Sequence, residues 1–257
     1  MMPQQTIFDM LGKKIVCNYP PKRIVSLVPS QTELLYDLGL KDSISGQTKF
    51  CIHPKEFFGN ANKVGGTKKV DFNKIIALNP DLIICNKEEN TKEIVETLEE
   101  KFPVWTSDIV TIEENNKMIE LLGKITQTEE KAAKIITGIN QSFKIKQIFK
   151  GRCLYFIWKK PYMAAANDTF INTLLNCSGY VNVLENTARY PALEESEIIA
   201  LNPDTVFLSS EPYPFKEKHI EELQHILPKA KIRLVDGEMF SWYGSRILHS
   251  WQYFSEL

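Results

Sequence analysis

Residues Ile75-Ile76-Ala77-Leu78-Asn79-Pro80-Asp81 recur unchanged as Ile198-Ile199-Ala200-Leu201-Asn202-Pro203-Asp204. So many identities in register rarely arise by chance. Each copy reads as the end of a helix, a turn and the start of a buried strand. Proline cannot continue a helix, and it drives the asparagine before it toward extended backbone. A chain that carries this unit twice is expected to be built of two equivalent halves. The repeat itself is expected to be structural and to bind nothing.

Outward from the repeat, apolar runs of strand length at 23–28 and 81–85 alternate with helical patterns such as 32–38. That alternation is the order of parallel βαβ units. Residues 103–106 read as a further strand. Residues 91–101, with acidic and basic side chains interleaved, read as an exposed helix. The first lobe therefore ends near residue 125. Thr128-Glu129-Glu130 is a helix-start signature, and Ala132, Ala133, Ile135, Ile136, Ile139, Phe143 and Ile148 follow at near-helical spacing. One long helix is predicted over 128–149, closed by Gly151. Strand-like segments at 152–158, 205–209 and 232–235 form a second series. The expected fold is α/β, with two Rossmann-like lobes containing parallel sheets: an N-terminal lobe 1–125, a linking helix 126–150 and a C-terminal lobe 151–257.

A chain of 257 residues, 43% of them hydrophobic, can bury a substantial core. Its 31 Lys+Arg and 32 Asp+Glu give a net charge of -1. That balance offers no electrostatic reason for nucleic acid or an anionic membrane as partner. The ligand is expected to be small or neutral overall. There is no apolar run long enough for direct membrane insertion, and the start MMPQQTIFDMLGKKIVCNYP lacks an apolar core with a cleavage site. The chain as written is expected to be cytoplasmic, with a periplasmic location as the alternative. Five widely spaced cysteines without a CxxC pair point to reduced thiols.

In open α/β sheets the ligand crevice lies beyond the carboxyl ends of the strands. Pro29-Ser30-Gln31-Thr32-Glu33 offers either backbone amides for an anionic group or a simple helix cap at Ser30. Phe50, Cys51 and His53 share the next loop. Cys51 and His53 are candidate metal ligands, although two ligands make only half a site. A buried thiol beside a surface imidazole is the alternative. The Gly65-Gly66 turn carries Thr67 and Lys68 without the spacing of a phosphate-binding loop. Glu88 and Glu89 follow one repeated strand, and Glu211 and Tyr213 follow the other. Glu88 and Glu211 hold the same place relative to the two repeats. They are expected to face each other across a cleft, unless Glu88 and Glu89 merely suit a helix start.

Trp158, Tyr162, Arg189, Tyr190, Trp242, Tyr243 and Arg246 also lie in the second half. Aromatics at loop tips offer flat apolar faces with a polar handle for a large planar ligand. His219 and His225 lie in a charged helical stretch and read as solvated. GxSxG, HExxH and GxGxxG are absent, and the four histidines show no triad spacing. The chain is expected not to be an enzyme. Glu88, Glu211 and His53 are the acid and base candidates of the opposing reading.

Three stretches carry a resemblance: RIVSLVPSQTELLYDLGL at 23–40, KVGGTKKVDFNKIIALNPDLII at 63–84, and SEIIALNPDTVFL with the terminal SWYGSRILHSW. The chain resembles the class III periplasmic binding proteins, the helical-backbone receptors for cobalamin, haem and ferric siderophores that serve ABC importers. The resemblance implies two lobes bridged by one rigid helix, a ligand pinched between them and little hinge movement. It implies that no cofactor is required. The bound ligand would be cobalamin-like, haem-like or a ferric chelate, and the partner an ABC transporter permease dimer. By the same resemblance Phe50 stands where an aromatic packs on the corrin, and Trp242 matches an aromatic after the last strand. Thr67 stands where the cobalamin receptor has a tryptophan. Of the two surface glutamates with which relatives dock, the first-lobe place holds Asn73. Glu194, Glu195 and Glu197 lie near the second. A cytosolic sensor or handling protein that uses the same cleft is the alternative function.

Overall fold

The computed structural model describes residues 3–57, 61–145 and 148–257. The chain divides into two compact units: Met1–Ile139 with Tyr243–Arg246, and Asn140–Trp242 with Ile247–Leu257.

The first unit opens with an antiparallel hairpin, β1 (Gln4–Phe8) and β2 (Lys14–Asn18), followed by β3 (Ile24–Ser26), α1 (Pro29–Asp37), β4 (Ile44–Gln47), β5 (Asn62–Lys63) and α2 (Phe72–Leu78). It continues with β6 (Leu82–Asn86), α3 (Lys92–Glu99), β7 (Val104–Ser107) and α4 (Ile112–Thr126). The five strands β5-β4-β3-β6-β7 form one sheet in which every pairing is parallel. Every residue of β6 is buried, as expected of a parallel strand covered on both faces. One face packs Val25, Leu27, Ile83, Cys85 and Val104 against Ile75 of α2 and Ile94 and Leu98 of α3. Side-chain caps start these helices: Asp71 accepts from Lys74 N, Thr91 from Ile94 N, and Thr111 forms a capping box with Glu114.

Helix α5 (Glu129–Phe143) follows, and the boundary between the units falls inside it, after Ile139. Its start belongs to the first unit because Gly123 of α4 lets Ala132 approach closely. A Cβ on Gly123 would lie 2.6 Å from that of Ala132. The helix ends at Phe143, short of the expected 149, and Lys146 and Gln147 of the expected span lie outside the described residues. Ile145, Ile148 and Phe149 are 63%, 85% and 65% exposed. An apolar spacing that buries nothing supplies no tertiary support for a further turn.

The second unit comprises β8 (Gly151–Trp158), β9 (Tyr162–Ala165), α6 (Phe170–Cys177), β10 (Tyr180–Asn182), β11 (Ala192–Leu193) and α7 (Glu195–Leu201). Then come β12 (Thr205–Ser209), α8 (Glu217–Ile226), β13 (Lys231–Val235), α9 (Glu238–Ser241) and α10 (Ile247–Ser255). Strands β10, β8, β12 and β13 pair in parallel, while β9 and β11 extend the sheet in antiparallel fashion. Only the short connection Lys159-Lys160-Pro161 separates β8 from β9, and so short a link can join only antiparallel strands.

The two copies of the repeat do the same work in both units. Asn79 and Asn202 end α2 and α7 in the left-handed region, at φ 46° and 43°. Asp81 accepts from the backbone N–H of Lys22 and Arg23, and Asp204 accepts from that of Arg152. In return, Asp81 N donates to Arg23 O and Asp204 N to Arg152 O, at 2.9 and 3.0 Å. Each aspartate thereby ties the start of its strand to the start of the neighbouring strand.

Candidate functional site

Because the strands of the first sheet run parallel, the segments that follow β3, β4, β5 and β6 gather at one edge. There Lys49 N donates to Gly65 O at 2.8 Å, stitching the loop after β4 to the turn after β5. Gly65 at φ +115° makes that turn, and a Cβ there would lie 2.6 Å from Lys69 O. A Cβ on Gly66 would lie 3.1 Å from Phe50 Cε2, so the Phe50 ring is seated on bare backbone. Phe50 is 49% exposed. The double glycine is thus a seat for an aromatic ring.

Cys51, one half of the expected metal pair, is a structural residue. It is buried, and its Sγ lies 3.2 Å from the hydroxyls of both Thr32 and Thr48. Burial pushes its thiol up, with the bonds from Thr32 and Thr48 opposing. A metal ligand needs the thiolate. His53 is half-buried in the same loop. Among the described residues, no group of three or more His, Cys, Asp and Glu gathers to hold a metal.

Beyond β6, Asn86 organises the loop. Its Oδ1 accepts from the N–H groups of Glu88 and Glu89 at 2.8 and 3.1 Å, and its Nδ2 donates to Ser107. Asn90 donates to Leu27 O and Thr67 O, holding three loops together. Lys68 Nζ donates to Glu88 O. Asn86 and Asn90 escaped the sequence reading, although an asparagine at each end of a strand-to-helix loop is a legible turn signal. Ser30 is buried and does not cap α1, whose N-cap position is Val28.

Tyr243 and Arg246, expected as ligand contacts of the second lobe, belong to the first unit. Arg246 is buried and bound through Nε and Nη2 to Glu33, at 2.9 and 2.7 Å. A guanidinium so committed is a structural clamp. Burial holds the Tyr243 phenol well above its ordinary value. The charges of Glu89 and Glu88 push it further.

In the second unit the expected aromatics are divided between packing and display. Trp158, at the end of β8, is 40% exposed and meets Tyr213 edge-on, 5.6 Å between centroids. Tyr213 packs in turn on Phe215 and on His219. His219 is buried and not solvated. Its Nδ1 accepts from Lys216 N at 2.8 Å, closing the start of α8. Tyr162 packs on Phe156, 5.2 Å between centroids. Trp242 is buried, and its indole N–H donates to Glu211 Oε1 at 2.9 Å, beside Ser241 Oγ at 2.8 Å. Burial raises the Glu211 carboxyl, which those two bonds partly offset. Neither Trp242 nor Glu211 is therefore displayed as a free contact. Arg189, at φ 62°, donates its backbone N–H to Asn167 O, and its own O accepts from Ala166 N. This sets Arg189 and Tyr190 beside the turn from β9 to α6, away from the carboxyl ends of the parallel strands. The two side chains pair, with the guanidinium 5.8 Å from the Tyr190 ring.

Residues 24–228 match the periplasmic binding protein family. The chain belongs to that family. A vitamin B12-binding protein of Vibrio parahaemolyticus is 29% identical over 201 residues, covering 76% of this chain and 73% of its own. An uncharacterized ABC transporter substrate-binding lipoprotein, YvrC of Bacillus subtilis, is 30% identical over 214 residues, covering 78% of this chain and 68% of its own. The crystal structure of a periplasmic haem-binding protein from Pseudomonas aeruginosa superposes with a TM-score of 0.79 at 18% identity, over 91% of each chain, and shares the fold. Like other periplasmic binding proteins, this one is a non-catalytic ligand binder and not an enzyme. No described helix is long and apolar enough to cross a membrane.

Proposed function

We propose that this periplasmic binding protein captures a small metal-containing ligand of the cobalamin, haem or ferric-siderophore class and hands it to the permease of an ABC importer. The observation that carries this reading is Phe50, a large apolar ring left 49% exposed on a glycine seat at the carboxyl ends of β4 and β5. Exposed apolar area costs about 25 cal/mol per Å², which a stacked ligand recovers. Family membership over residues 24–228 and the names of the two curated relatives support the same reading. An importer role favours the periplasmic location over the cytoplasmic one.

The test is a ligand-induced shift in melting temperature across cobalamin, haem and ferric chelates. Binding at 100 times the dissociation constant stabilises by about 2.7 kcal/mol, which for a chain of this size raises Tm by roughly 5–10 °C. A chain whose Tm moves with none of them is not a receptor of this class.

A further inference from the structure

We infer that His219 is a positioning residue for ligand binding: through Tyr213 it holds Trp158, a displayed ring of the second unit, and in acid it lets that ring go. The inference rests on the receptor reading above and adds to it a residue and a pH dependence.

Trp158 ends β8 and Tyr213 follows β12, so both lie beyond the carboxyl ends of paired parallel strands, where α/β sheets take their ligands. Trp158 is 40% exposed and rests edge-on against Tyr213. Tyr213 is fixed from behind. Its backbone N–H donates to Ile157 O at 3.3 Å, its ring packs on Phe215 at 4.8 Å between centroids, and its hydroxyl lies 3.4 Å from His219 Nε2. Phe215, itself buried, meets the imidazole edge-on at 5.4 Å. His219 therefore backs a pair of rings whose outer member is Trp158.

The neutral form of His219 has both ring nitrogens committed. Nδ1 accepts from Lys216 N at 2.8 Å, so the proton sits on Nε2, toward the Tyr213 hydroxyl. A second proton, on Nδ1, would set a donor against a donor at the start of α8. The charges nearby oppose it as well. Lys159 stands just past the end of β8, Lys218 and Glu222 lie on α8, and Glu222 is already engaged by Lys159. Burial, and after it Lys159, disfavours the imidazolium, with Glu222 opposing. A protonated His219 turns out of this pocket, which removes the support behind Tyr213 and frees Trp158.

Tryptophan emission and acrylamide quenching of the full chain, followed from pH 7.5 to 5, test the coupling without a ligand. The wild type should show one step below about pH 6.5 that is lost in Trp158→Phe and in His219→Gln. Glutamine at this third position of α8 still reaches back to the Lys216 N–H but takes up no proton. Circular dichroism should stay unchanged through the step. Cyanocobalamin, ferric protoporphyrin IX and a ferric hydroxamate are then titrated at pH 7.5 and at one unit below the midpoint, where about a tenth of the chains still hold the ring. Whichever binds at pH 7.5 should lose about three- to ten-fold in affinity with the wild type and less with His219→Gln. Comparing the two proteins cancels any titration of the probe or of His53. Trp158 emission that ignores acid, or answers it equally in His219→Gln, overturns the inference. So does unfolding in the same step, or an equal acid loss of affinity in the two proteins. Binding of none of the three at pH 7.5 sinks the receptor reading and this inference with it, even where the emission step is present.

Discussion

Arg246 grips Glu33 through two hydrogen bonds, Nε to Oε2 at 2.9 Å and Nη2 to Oε1 at 2.7 Å, although the two stand 213 residues apart in the chain. Both side chains are almost wholly buried, so each needs the other. Removing the guanidinium alone, as in Arg246→Met, leaves an unpaired buried carboxylate and should destabilise by about 3–5 kcal/mol. Combining it with Glu33→Met should restore most of that loss. Urea unfolding followed by circular dichroism checks both. A double variant no better than the single one would show that the pair acts through other partners.

The repeated aspartates differ in how fully they are used, and their stability effects should rank accordingly. Asp81 is buried and accepts from two backbone N–H groups, whereas Asp204 is exposed and accepts from one. Asp81→Ala should cost about 1–3 kcal/mol and Asp204→Ala less. Equal losses in urea unfolding would contradict the ranking.

Asn79 and Asn202 each hold a left-handed backbone. Replacement of either by alanine should cost about 1 kcal/mol, and replacement by glycine should cost nothing or stabilise slightly. Thermal melts of the four single variants decide this.

His219 makes the second unit sensitive to acid. Burial, and after it the charge of Lys159, holds the imidazole below its ordinary value. The folded chain therefore takes up this proton less readily than the unfolded chain. The stabilisation is complete above about pH 6.5 and is lost as pH falls through the lowered value. Between pH 7.5 and 5, the wild type should lose more stability than His219→Gln, which has nothing to titrate at that position. Parallel losses in the two proteins would remove His219 as the cause.

Thiol labelling should follow burial. Cys177 is the partly exposed cysteine, while Cys17, Cys51, Cys85 and Cys153 are buried. An aromatic disulfide reagent should modify Cys177 first and reach the other four only on unfolding. Early modification of Cys51 would mean that its loop opens in solution.

The repeat, the strand-and-helix alternation and the helix stops were all legible in sequence because each is a local matter. Proline cannot continue a helix, and apolar spacing marks a buried face within a few residues; the backbone of Asn79 and Asn202, expected to be extended, is left-handed instead. The two-part α/β plan followed from those signals. What only tertiary structure decided was where each candidate side chain spends its polar groups. Trp242 and Arg246 read in sequence as ligand contacts, yet Glu211 and Glu33, far away along the chain, engage them. His219 read as solvated because its neighbours are charged, but Tyr213 and Phe215 enclose it. The length of α5 was overstated for the same reason, since periodicity shows that a face exists but not whether anything covers it. Hydrogen-bond partners and burial depend on how segments come together in space, across 213 residues for Arg246 and Glu33 and 31 for Trp242 and Glu211, and local spacing does not carry that information.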